Sequence, residues 1–180
     1  MIKIIYYVHG TTLDNINKVC SGWNDVDLSE RGFEEAKRLG VNASYDFDVL
    51  FTSDLVRAEE TAKLAFPSFE STSDKRLREC NYGDYDGEDK KLVVYEKHII
   101  EPFPNGESLK DVEARIRDFL KYISENFKGK KVGIIAHRAP QLAIEVITKH
   151  ISWEDANSND WRKTGDWQPG WEYVLKDRDL

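Results

Sequence analysis

In Ile4 to Thr12, IIYYVHGTT, a run of apolar and β-favouring residues stops at His9-Gly10, where the glycine lets the backbone turn away directly behind the histidine. A short apolar run bounded by a turn signal reads as a buried strand. Lys131 to Ala136, KVGIIA, repeats the pattern and also ends at a histidine, His137. Two strands thus carry imidazoles to what should be one edge of a sheet, and ligands of open α/β sheets bind outside the carboxyl ends of strands. Asp48 to Ser53 and Trp171 to Leu175 read as further strands, with shorter extended pieces at Phe69 to Thr72 and Arg76 to Glu79.

Helical periodicity alternates with these strands. Ser29 caps SERGFEEAKRLG, which puts Phe33, Ala36 and Leu39 on one face and has Gly40 as its stop. Thr52-Ser53-Asp54 offers capping chemistry to a helix over Leu55 to Ala65 whose first turn holds Arg57. A cation there opposes the helix dipole, so helix stability alone does not select it. The stripe Leu109, Val112, Ile116, Phe119, Leu120 and Ile123 predicts a long helix from Glu107 or Ser108 to Phe127, closed by Gly129. Pro140 opens a helix running through Ile147, and Trp153 to Trp161 and Lys90 to Ile100 read as helical. Thr11 to Leu28 is a polar loop with room for a helical turn. Strands alternating with helices predict a mostly parallel sheet covered on both faces. Without repeats or a domain boundary, residues 1–180 read as one domain, with 84–106 an insertion able to lid a site.

Composition narrows the function. Lys and Arg number 26 against 33 Asp and Glu, a formal charge of -7, so neither nucleic acid nor an anionic membrane is an expected partner and an anionic ligand needs a local basic pocket. Cys20 and Cys80 form no metal-type pair or disulfide framework, and Met1 to Val8 lacks the features of a signal peptide, which favours the cytoplasm.

Four groups stand just after strands or in glycine-flanked loops: His9, Arg57, Glu79 and His137. The set suits phosphoryl transfer, in which a neutral imidazole attacks phosphorus, cations stabilise the equatorial oxygens and a carboxyl protonates the leaving oxygen. Arginine's planar fork matches a phosphate, and Asn15, Ser21 and the Gly22 amide can add neutral donors. Two other classes use the same residues: a binder of phosphorylated ligands without turnover, and a metal centre made of His9, His137 and Glu79, which Arg57 disfavours.

His9-Gly10 followed by Asn15, then Ser21-Gly22-Trp23, DLSERG, SDLVRAEETA, LRECNYGDYDG, PNGES and the Ala-His at His137 resemble, in order, the histidine phosphatase superfamily over about residues 2 to 147. That superfamily includes cofactor-dependent phosphoglycerate mutases and small phosphomonoesterases. The resemblance implies a phosphoglycerate mutase-like, three-layer α/β/α sandwich and a phosphohistidine on His9. Arg57 and His137 then stabilise the phosphoryl group, Glu79 serves as general acid and base, and Gly10, Asn15, Ser21 and Gly22 bind substrate. It implies no metal or other cofactor, and a small phosphorylated substrate.

Two positions depart from that pattern: Val8 stands where the motif has arginine, and Arg138 follows the second histidine in place of glycine. Loss of one guanidinium removes a contact worth about 1.5–3 kcal/mol, and Arg138 is expected to reach into the pocket and partly replace it. The chain is shorter than the mutases it resembles, and between Gly87 and Glu107 its obvious cations are Lys90, Lys91, Lys97 and His98, which favours hydrolysis over phosphotransfer. Trp153, Trp161, Trp167 and Trp171 read as an aromatic layer closing the sheet, or else Trp167, Arg162 and Lys163 stand at the pocket mouth and read the organic part of the substrate.

Overall fold

The computed structural model describes residues 1–42, 47–163 and 170–180. Alternation decides the layers. In β1 (Ile2–Val8), Ile4 and Tyr6 pack into one buried cluster while Ile5 and Tyr7 pack into another on the opposite face. A sheet buried on both faces follows, with order β3-β2-β4-β1-β5 from β2 (Val49–Thr52), β3 (Ser71–Ser73), β4 (Lys131–Ala136) and β5 (Trp171–Leu175). All pairings are parallel except that of β5 with β1. The chain therefore has the expected α/β fold with a mostly parallel sheet. Among the described residues no helix is long and apolar enough to cross a membrane.

The helices are α1 (Leu13–Asn17), α2 (Glu30–Asn42), α3 (Val56–Ala65), α4 (Leu109–Asn126), α5 (Arg138–Lys149) and α6 (Trp153–Ser158). The apolar stripe of α4 is fully buried against the β1, β4 and α5 cluster, and a capping box between Ser108 and Asp111 fixes its start. On the opposite face α2 and α3 cover Ile5, Tyr7, Leu50 and Ile135.

Several boundaries differ from the sequence reading. Gly40 does not end α2; it lies inside the helix, where a Cβ would meet the Ala65 carbonyl oxygen at 2.3 Å, so it serves close approach to α3. The N-cap of α3 is Leu55, without a side-chain cap bond, and Asp25 from the preceding loop accepts the Val56 N–H at 3.0 Å. Residues 90–100 hold two 3₁₀ turns, Lys90–Leu92 and Tyr95–Lys97, with Val94 between them extended, and not one helix. Lys75–Leu77 is a 3₁₀ turn instead of an extended piece, and α6 stops at Ser158. The segment 84–106 is anchored by the fully buried Tyr95 and Phe103, with Lys90, Lys91 and Val93 on a cavity wall.

Candidate active site

Parallel register brings the two histidines together. Val8 pairs with Ala136, so the next residues, His9 and His137, leave adjacent strands side by side with ring centroids 5.0 Å apart. His9 borders a cavity of about 590 Å³ at the carboxyl end of the sheet, whose lining also includes Val8, Asn15, Ser21, Gly22, Arg57, Glu79, Arg138 and Arg162, with His137 buried behind it. Six cationic side chains line it, Arg57, Lys90, Lys91, Arg138, Arg162 and Lys163, against the carboxylates Glu35 and Glu79. In a chain of net charge -7, this is the local basic pocket an anionic ligand requires.

The His9 ring is oriented by its own chain. Its Nδ1 lies 2.7 Å from the Gly10 carbonyl oxygen, an acceptor, so Nδ1 carries the proton and Nε2 keeps its lone pair. Burial, and next the Arg57 charge, push the imidazole down to about 3, with the Gly10 bond opposing and Arg162 adding to the depression. His9 is a neutral base across the physiological range. The Gly10 N–H donates to the Thr61 hydroxyl at 3.0 Å, and that hydroxyl donates to the Arg57 carbonyl at 2.7 Å. Both polar groups of Gly10, a residue expected to contact substrate, are engaged within the chain, the carbonyl by the His9 ring and the N–H by Thr61.

His137 is fully buried just before α5, and neither ring nitrogen has a partner among the described residues. An orphaned buried imidazole costs free energy unless a ligand satisfies it. Its backbone is clamped by Tyr6, whose hydroxyl accepts the His137 N–H at 3.0 Å and donates to the His137 carbonyl at 2.7 Å. Burial, followed by the Arg57 charge, lowers its proton affinity far below the ordinary range.

Both imidazoles would protonate near pH 6.5 in the unfolded chain and stay neutral in the folded one. The unfolded state therefore binds more protons below pH 6.5, and stability falls as pH drops towards the folded values. Between pH 6.5 and 5, above the usual carboxylate range, the pair is expected to cost up to about 4 kcal/mol. Urea midpoints at the two pH values measure it, and a His9→Asn/His137→Asn protein should lose most of the slope.

Arg57 is buried, with Nη1 donating to the Asn24 carbonyl at 2.9 Å and Nη2 to the Gly22 carbonyl at 2.8 Å. These bonds tie the 21–24 loop to the cavity floor. Gly22 has φ +49°, and a Cβ there would come within 1.6 Å of an Asp86 oxygen, so position 22 requires glycine. Its N–H has no partner among the described residues, while the Ser21 hydroxyl donates to Asp14 at 2.9 Å and the Asn15 side chain accepts the Thr12 N–H. Glu79 accepts the N–H groups of Cys80 and Ala139 on one oxygen, at 2.9 and 3.0 Å, and that of Arg138 on the other at 3.2 Å. Arg115 holds the same loop through the carbonyls of Arg76, Arg78 and Glu79 and an ion pair with Glu107 at 2.8 Å.

Arg138 lines the cavity, as expected, but its guanidinium is not wholly free. Its Nε donates to Asp160 at 2.6 Å, Nη2 donates to Asn157 at 2.9 Å, and the guanidinium lies 4.4 Å from the Tyr95 ring centre. It forms cavity wall with its charge committed to Asp160. The three-donor metal reading is not assembled either: among the described residues no group of three or more His, Cys, Asp or Glu is placed to hold an ion. Cys20 and Cys80 are free, buried thiols, and burial raises both. Trp153 is buried with its indole N–H on Glu113, whereas Trp161 and Trp171 line the cavity; Trp167 lies outside the described residues.

A family model of the histidine phosphatase superfamily (branch 1) matches residues 5–165. The 2,3-bisphosphoglycerate-dependent phosphoglycerate mutase of Methylocella silvestris is 33% identical over 164 residues, covering 80% of each chain. Among solved structures, a mycobacterial glucosyl-3-phosphoglycerate phosphatase superposes with TM-score 0.78 at 24% identity, covering 87% of this chain and 86% of that one. The alpha-ribazole phosphatase of Shigella flexneri superposes with TM-score 0.75 at 23% identity, covering 87% and 84%. At these identities the structural likenesses bear on the fold alone.

Proposed function

The chain belongs to the histidine phosphatase superfamily, and from that premise we propose that it is a phosphomonoesterase acting on a small phosphorylated metabolite through a phosphohistidine on His9. The observation that carries this reading is the single bond from His9 Nδ1 to the Gly10 carbonyl, which leaves Nε2 unprotonated beside Arg57 in a cation-lined cavity. In the first step the Nε2 lone pair forms the N–P bond, the P–O bond to the alcohol breaks, and Glu79 gives the leaving oxygen its proton. In the second, Glu79 takes a proton from water, the hydroxide oxygen bonds to phosphorus, and the N–P electrons return to Nε2. Arg57 and one His137 N–H offset the charge on the equatorial oxygens. These side chains supply the stabilisation without a metal, so turnover should persist in a chelator.

The proposed acceptor is water, since the cavity mouth carries the exposed side chains of Asn15, Lys90, Lys91 and Lys163. The mutase reading draws on the name of the 33% identical relative. The proposed setting is the cytoplasm, consistent with two free thiols. The test is release of p-nitrophenolate from p-nitrophenyl phosphate in EDTA at pH 5 to 8, with quenching in alkaline denaturant to trap a phosphoprotein whose phosphate is then lost in acid. Neither turnover nor trapped phosphate would sink the enzyme reading and leave a binder; conversion of 3-phosphoglycerate to its 2-isomer without net phosphate release would favour the mutase.

A further inference from the structure

Residue 8, immediately before the nucleophile, is an apolar valine on the cavity wall, and the guanidinium of Arg138 is turned to Asp160. A second arginine bound to the same carboxylate lines that cavity too. Arg162 follows α6 in the turn Trp161–Lys163 and lines the same cavity as Val8 and His9. Its Nη1 donates to Asp160 at 2.9 Å and its Nη2 to Gln141 at 2.8 Å. The guanidinium carbon lies 4.8 Å from the Trp161 ring centre and 5.8 Å from that of Trp171, both cavity residues. Of its five N–H donors, three have no partner among the described residues, so a held and oriented fork retains free donors.

Charge balance points the same way. The Asp160 side chain is fully buried between Arg138 on one oxygen and Arg162 on the other. One carboxylate cannot neutralise two guanidinium groups, and a partly buried excess cation is costly unless an anion meets it. The Arg162 charge also acts on the His9 imidazole, after that of Arg57.

We propose that Arg162 is the second phosphoryl-binding guanidinium of this site, carried in by the C-terminal segment and aimed by Asp160 and Gln141, taking over the charge that position 8 does not provide. The inference deepens the phosphatase reading and rests on its placing of the phosphoryl group at His9. The bland account is that Arg162 merely ties the C-terminal segment to α5.

The test uses the full chain in four forms: unaltered, Arg162→Met, Val8→Arg, and the double variant. Binding of inorganic phosphate is measured by calorimetry and kcat/KM with p-nitrophenyl phosphate. Methionine keeps an apolar stem against the tryptophans and removes the charge. If it unfolds the protein, Arg162→Gln, which keeps an N–H for Asp160, takes its place. Loss of Arg162 is expected to lower phosphate affinity and kcat/KM by about ten- to a hundredfold, and Val8→Arg to restore most of both in the double variant. Unchanged phosphate affinity in the single variant, or a loss that arginine at position 8 does not repair in a protein of unchanged melting temperature, overturns the inference. Phosphate binding that depends on Arg162 in a protein without turnover would uphold it while removing the phosphatase reading.

Discussion

Replacing His9 by alanine is expected to lower kcat for p-nitrophenyl phosphate by at least about four orders of magnitude, because among the described residues no second activated nucleophile stands in the cavity. His137 is the nearest imidazole, yet it is fully buried, is not part of the cavity lining, and its backbone is fixed by Tyr6. Cys20 lines the cavity, but burial raises its thiol and its Sγ–H points to the carbonyl of Tyr85 at 2.7 Å. Phosphate affinity should fall by no more than about tenfold, since the cations remain and only a neutral side chain has gone. No acid-labile phosphoprotein should be trapped. Turnover within tenfold of the unaltered protein would mean that phosphorus is attacked by something other than His9.

The same imidazole explains how much of the site could be read from the chain. Two apolar runs each ending at a histidine were enough to place His9 and His137 at one sheet edge, because parallel strands with both faces buried carry an unambiguous pattern. What could not be read was the partnering of side chains far apart in sequence. Tyr6 looks like one more core aromatic, yet its hydroxyl clamps residue 137. Arg115 sits on the polar side of a helical stripe, yet it ties down three carbonyls of the loop bearing Glu79.

The pairing of Arg138 and Arg162 around one carboxylate has the same origin. Arg138 stands directly after the second histidine, which made it the natural substitute for a guanidinium missing at Val8. Where a guanidinium points depends on its carboxylate, and here that is Asp160, placed 22 residues on by the end of α6. At Gly10 the local sequence is likewise silent about Thr61 of α3, which takes its N–H. Local signals thus located the chemistry, and tertiary contacts assigned its supporting roles.

Glu79→Gln is expected to separate the two chemical steps. Glutamine is nearly isosteric and its carbonyl oxygen can still accept the Cys80 and Ala139 N–H groups, but its amide can neither hand a full proton to a leaving alcohol nor take one from water. An alkyl phosphate needs that proton when the P–O bond breaks, so its kcat should fall by about 10²- to 10⁴-fold. p-Nitrophenolate departs without protonation, so formation of the phosphohistidine should stay fast while its hydrolysis, which still needs a base, becomes slow. Rapid mixing should then show a burst of one p-nitrophenolate per chain followed by slow turnover, and the protein quenched in alkaline denaturant should carry more phosphate than the unaltered one. If both substrates slow equally with no burst, Glu79 works by holding the start of α5, where it meets the Arg138 and Ala139 amides, and the proton transfers belong to another group. The burst is the discriminating observation, because a merely displaced helix start would slow the first step as well as the second.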